Sequence, residues 1–121
     1  MSNPAYNISL SIFRSREWVQ QFTLMNIDAT QDNLALVVCP VLSSGNAAPT
    51  IFNDTPTVSS SSGSSTIVFV FEDSDTESLT ANANFQWQFL RQAAGNTEGS
   101  DVVCSGPLII NDSPTAPWNS S

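Results

Sequence analysis

The sequence contains no histidine and no lysine, and only three cations, Arg14, Arg16 and Arg91, stand against eleven carboxylates in 121 residues. Without histidine the usual proton carrier near neutral pH is missing, and with it the Ser-His-Asp and Cys-His catalytic sets and any histidine metal site. Without clustered Lys or Arg, neither nucleic acid nor an anionic membrane finds the cationic surface that would hold it. The two cysteines, Cys39 and Cys104, lie 65 residues apart and lack the C-x-x-C spacing of zinc and redox motifs. No Gly-rich phosphate loop is present. No run approaches the roughly 18 apolar residues of a membrane span, and Met1-Ser2-Asn3-Pro4 has neither the basic nor the apolar region of a signal peptide. These absences predict a protein that is not an enzyme, binds no metal or cofactor, and is made in a cytosol, where a reducing environment leaves two buried thiols rather than a bridge.

Charge as a whole is scarce. Charged residues make up 12% of the chain and apolar residues 40%, for a net charge of −8. The polar surface must therefore be built mostly from Ser, Thr, Asn and Gln, which guard poorly against sticking. A chain that is always docked in an assembly tolerates such a surface. At this length one domain with a single core is expected.

What the sequence does have is a two-residue alternation of apolar and polar side chains, the period of a strand with one buried face. Phe85-Gln86-Trp87-Gln88-Phe89 is its best example. The same reading predicts strands at Tyr6 to Phe13, Trp18 to Met25, Leu34 to Leu42, Thr66 to Glu72, Phe85 to Gln92 and Asp101 to Ile110. Trp18, Gln20, Phe22 and Leu24 share one side of the second, whose two sides are both expected to be partly covered. Pro40 cannot donate to a ladder and belongs at an edge, a bulge or a strand end. Gly106-Pro107 is expected to kink or bulge the last strand. Ser43 to Ser65 reads as a long excursion with one short edge strand, mobile at Ser59 to Ser65. Ser74 with Glu77 three residues on resembles a capping box and predicts one helical turn before Leu79. Six or seven short strands with loops between them are the signature of an antiparallel sandwich.

Candidate chemistry is thin. Glu72-Asp73-Ser74-Asp75-Thr76-Glu77 alternates carboxylates as hard-cation ligands do, but a calcium loop then needs Gly and Glu where this chain has Ser78 and Asn84. A solvated acidic turn at a helix start is the better account. Trp18, Trp87 and the phenylalanines at strand spacing are read as core, each buried ring contributing on the order of 2 kcal/mol. Trp118 lies beyond the last strand between Pro117 and Asn119, in a position to tuck against its own domain or anchor on a neighbour. Arg14 and Arg16 are candidate contacts for an acidic partner surface. The Cys39 to Cys104 separation resembles the inter-sheet bridge of immunoglobulin domains, but the tryptophan that should follow the first cysteine is absent.

The order of segments resembles a family of small phage virion proteins that includes the N-terminal immunoglobulin-like domain of lactococcal-type phage baseplate upper proteins. The matching elements are Trp18-Val19-Gln20-Gln21-Phe22, Asp32-Asn33-Leu34, the loop Ser43 to Ser65, Thr66 to Phe71, Thr76 to Leu79, Phe85-Gln86-Trp87-Gln88-Phe89, and Ser105-Gly106 leading to Leu108-Ile109-Ile110. They span about Ser15 to Pro114. Departures are the strand Tyr6 to Phe13 ahead of the pattern, Gln86 where the family often has Asp, and no downstream domain.

The resemblance implies an all-β, antiparallel, immunoglobulin-like β-sandwich of about seven strands with extended terminal arms. The expected organisation is an N-terminal arm and first strand over 1–14, the sandwich over 15–112, and a C-terminal arm over 113–121. It further implies a virion structural protein docked on the tail or head-tail region through the sandwich and arms, in multiple copies, touching other phage structural proteins and neither nucleic acid nor membrane. A capsid cement protein bridging major capsid subunits is one alternative. A carbohydrate-binding host-attachment module is another, and it requires an exposed aromatic platform among Trp18, Trp87 and Trp118.

Overall fold

A computed structural model describes residues 6–41, 50–79, 84–95, 99 and 101–112. Two sheets face each other. One has three strands, β3 (Trp18–Leu24), β7 (Ser64–Phe71) and β6 (Thr57–Ser61), in the order β3-β7-β6 and all antiparallel. The other holds β4 (Asn33–Pro40), β5 (Ile51–Asn53), β8 (Phe85–Gln92) and β9 (Asp101–Asn111) in the order β9-β8-β4-β5, again antiparallel. Together they make the two layers of an all-β sandwich. Two further segments, β1 (Tyr6–Asn7) and β2 (Leu10–Phe13), add to the free edge of β9 and run parallel to it. The chain's first strand is thus part of the sandwich sheet, and the sheet is mixed rather than wholly antiparallel.

The core follows from the alternation. Trp87, Phe89, Phe69, Leu36, Val38 and Ile67 are fully buried, contributed alternately from the inner faces of both sheets. Phe22 stacks on Phe89 at 4.4 Å and lies 5.7 Å from Trp87, while Trp18 stacks on Phe71 at 4.8 Å at the end of the sandwich. Outward residues of β3, Val19, Gln21 and Thr23, are exposed, so its second side is open rather than partly covered.

Gly106-Pro107 acts differently from expectation. The irregularity in β9 falls instead opposite Phe89 and Leu90, where the register passes from Cys104 to Val102 and leaves Val103 as the extra residue. Gly106 and Pro107 break the neighbouring strand. A Cβ on Gly106 would overlap the Ile8 carbonyl oxygen and lie 2.6 Å from its carbon, so only glycine lets the Ile8 peptide cross there. The Trp87 indole N–H donates to that same Ile8 carbonyl at 2.9 Å. The Ile8 amide donates to Ser105 O at 2.8 Å, so alternation turns the nitrogen of Pro107 toward the same side, where it has no hydrogen to give. The ladder therefore stops at Asn7–Ser105 and resumes at Leu10–Leu108. Pro40 ends β4, opposite Phe85.

The serine run is paired rather than a loose excursion. Residues 57–61 and 64–71 form a hairpin through Ser62 (φ 56°) and Gly63 (φ 82°), two positive φ values that define a type I′ turn. Ser65 is fully buried, and its hydroxyl donates to Ile27 O and accepts from Ala29 N, both at 2.8 Å, holding the β3–β4 loop. The predicted helical turn is present as α1 (Asp73–Glu77), with Glu72 rather than Ser74 as its cap. Asp75 supplies the reaching carboxylate, accepting the Glu72 amide at 3.1 Å.

Candidate functional site

The residues singled out in the sequence do not converge. Arg14 and Arg16 occupy the turn between β2 and β3, which packs against α1. The Arg14 Nε donates to Glu77 O at 3.2 Å, complementing the carbonyl end of the helix. Thr76, fully buried, clasps the Arg16 backbone: its hydroxyl accepts from the amide at 3.0 Å and donates to the carbonyl at 2.7 Å. The third arginine pins the opposite end of the sheet. Arg91 Nε meets Asp32 Oδ2 at 2.6 Å, and Asp32 Oδ1 accepts Ala94 N at 2.9 Å, with the Asp32 side chain only 4% exposed. The side chains of Arg14 and Arg91 and the backbone of Arg16 thus all make contacts within the fold. Trp118 lies outside the described residues, as do 1–5 of the N-terminal arm and 113–121 of the C-terminal arm.

Cys39 and Cys104 are both free thiols. They sit on β4 and β9 with β8 between them, which puts their Cα atoms about 9.5 Å apart at least, beyond the ~7 Å reach of a disulfide. Cys39 pairs with outward Gln86 and Cys104 with inward Phe89, so they also point to opposite faces. Burial raises both thiol pKa values, that of Cys104 to about 11, which leaves little thiolate near neutrality. Among the described residues no three of His, Cys, Asp and Glu come together as metal ligands do. Trp18 is 6% exposed and Trp87 is fully buried, so neither offers its face to a sugar ring.

The most distinctive surface is the outer face of the larger sheet. Cross-strand register lays out its rows. Ser11 and Ile109 share one; Pro107, Gln86 and Cys39 form the next. Ser105, Gln88, Val37 and Phe52 form the third, and Val102, Leu90 and Ala35 the fourth. No charged side chain stands in any of these rows. Beside them Phe13, Val41, Phe52 and Ile109 are each half exposed or more, at 51%, 53%, 60% and 50%. A hollow of about 310 Å³ lined by Val41, Asn84, Phe85, Pro107, Leu108, Ile109 and Ile110 opens at one end of this face, and a cleft of about 240 Å³ lined by Asn33, Leu34, Ala35, Asp54, Leu90 and Gln92 at the other, where Asp54 brings a carboxylate to the margin. The carboxylates lie at the ends of the sandwich, in the β3–β4 loop at Asp28 and Asp32, in α1, and at Asp54, Asp101 and Asp112.

Sequence reasoning did not find this face because β4 and β9 are apolar on both sides, and strand order decides which side is covered. Its signal was present in Pro107 and Ile109, which alternate with the inward Gly106, Leu108 and Ile110. Such a neutral face, with apolar side chains around central amides, suits a protein partner better than a small polar ligand, which needs several convergent polar groups. Compared with known proteins, the chain matches no family model and no curated protein.

Proposed function

We propose that this chain is a non-enzymatic structural protein of a phage virion, which docks on the tail or head-tail region through the outer face of its larger sheet. The observation that carries the docking role is the absence of charge from the four central rows of that face together with the exposure of Phe13, Val41, Phe52 and Ile109. On docking, the aliphatic and aromatic side chains leave water at about 25 cal/mol per Å². Gln86 and Gln88 have amides to pair with polar groups of the partner. The virion context is supported by the order of segments from Trp18 to Ile110, and the strand orders of both sheets are those an immunoglobulin-like virion domain would have.

The test is the copy number of the chain in purified particles, by quantitative mass spectrometry against the major capsid protein. A ratio of one copy to tens of capsid subunits supports the tail or junction role. One copy per capsid subunit, or per few, makes the chain a cement protein. Absence from the particle rejects the virion reading. Ile109→Asp, on an exposed position, should lower incorporation without lowering the melting temperature.

A further inference from the structure

The smaller sheet has two edges, β3 and β6, and β3 differs from every other edge in the described fold. Natural sheets protect their edges with charges, prolines, bulges or short strands. The edge strand β5 has three residues, the edge beside β9 is broken between β1 and β2, and β6 is five residues entered from Pro56. β3 runs seven residues from Trp18 to Leu24 in unbroken register with β7, and it contains no charged residue and no proline. The core is also incompletely closed along it. Phe22 contacts Phe69, Trp87 and Phe89, which are fully buried, yet Phe22 itself remains half-buried, as does Gln20 beside it.

We propose that β3 pairs with β3 of a second copy of this chain, antiparallel about a twofold axis through Gln21, joining two three-stranded sheets into one. The sequence of the strand is complementary to its own reverse. Gln21 meets Gln21 of the second copy, amide to amide. Val19 meets Thr23, two β-branched residues on the outer face, and Trp18 meets Leu24 on the inner face. Gln20 meets Phe22 and covers the open side of the aromatic cluster.

Charge permits this pairing. Two copies at −8 each repel wherever carboxylates face each other. In this register Glu17 faces Met25 of the second copy and Arg16 faces Asn26, so no like charges are opposed. An isologous contact of this kind closes on itself and yields a dimer rather than a fibre. The pairing does not depend on the virion reading.

Sedimentation velocity of the intact chain over a wide concentration range tests it, together with two variants of the exposed Gln21. The wild type should dimerise. Gln21→Lys sets two ammonium groups face to face and should weaken the dimer by about tenfold or more at an unchanged melting temperature. Gln21→Cys should give a reducible cross-linked dimer on mild oxidation, while Thr57→Cys on the other edge should not. A chain that stays monomeric at all concentrations overturns the proposal, whether its β3 amides exchange freely or are protected by its own flanking residues. A dimer that survives Gln21→Lys and forms no Gln21→Cys cross-link overturns it as well.

Discussion

Replacing Gly106 with alanine probes the junction on which the first strand depends. The added methyl would overlap the Ile8 carbonyl oxygen and come within 2.8 Å of the Ile8 nitrogen, and both neighbours are backbone, so no side-chain rotation relieves the contact. The Ile8 peptide must move away from β9. Overpacking of this kind costs about 1–3 kcal/mol. Movement also removes the acceptor of the Trp87 indole N–H, now 2.9 Å away, and an unpartnered buried donor costs about 1–3 kcal/mol more. Alanine recovers about 0.5 kcal/mol of strand propensity. The sum is a loss of about 3.5 kcal/mol from a domain stability on the order of 10 kcal/mol. With a urea m-value of about 1.5 kcal/mol/M, the unfolding midpoint should fall by about 2 M. Trp87→Phe in the Gly106→Ala background should cost less than it does alone, because the hydrogen bond is already gone. A Gly106→Ala variant within about 0.5 kcal/mol of the wild type would refute the assignment of Ile8 to this crossing.

Thr76→Val removes the hydroxyl that holds both backbone groups of Arg16 and should destabilise by about 2 kcal/mol in the same urea assay, with Thr76→Ser recovering most of it. Ser62→Asn places a residue better suited to positive φ at the first central position of the Ser62-Gly63 turn and should raise stability by about 0.5 kcal/mol, whereas Gly63→Ala should lower it by about 1 kcal/mol. Cys104, held neutral by burial to a pKa of about 11 against an ordinary 9.0, should resist thiol reagents until the protein unfolds, while half-buried Cys39 reacts first. Because the native pKa is the higher, the unfolded chain ionises first. The stabilisation is complete below the ordinary value and is lost as pH rises toward the native one. Urea midpoints across that alkaline window should therefore fall more steeply for the wild type than for Cys104→Val.

Where one face of a strand is buried and the other wet, the sequence carried the answer. Phe85 to Gln92 begins and ends where its alternation does, and β7 is central, as Ile67, Phe69 and Phe71 with Val68 and Val70 between them suggest. Alternation fixes a face because a one-residue slip would turn Trp87 outward. The serine hairpin escaped notice because Ser59 to Ser61 bury nothing that could mark a face, although Ser-Gly is itself a turn signal. Gly106-Pro107 was recognised as a disturbance but assigned to the wrong strand, since its effect is exerted on residues almost a hundred positions away, and no local pattern reports strand order. The uncharged rows on the outer face of the larger sheet were hidden for the same reason. The tie of the Arg14-Arg16 turn to α1 could not be read locally either, because the helix that engages it is some sixty residues downstream.

The parallel union of β2 with β9 also governs when the protein can fold during its synthesis. Tyr6 to Phe13 are made nearly a hundred residues before their sheet partner, residues 104–111. At about 5–20 residues per second, the early segment waits on the order of ten seconds for its place. Until β9 emerges, β8, β4 and β5 can pair with one another, but β8 lacks its other neighbour and Ile8 is not held where its carbonyl accepts the Trp87 indole N–H. Completion of that sheet waits for residues 101–111, and a ribosome stalled before residue 101 carries an unclosed sandwich exposed to chaperones.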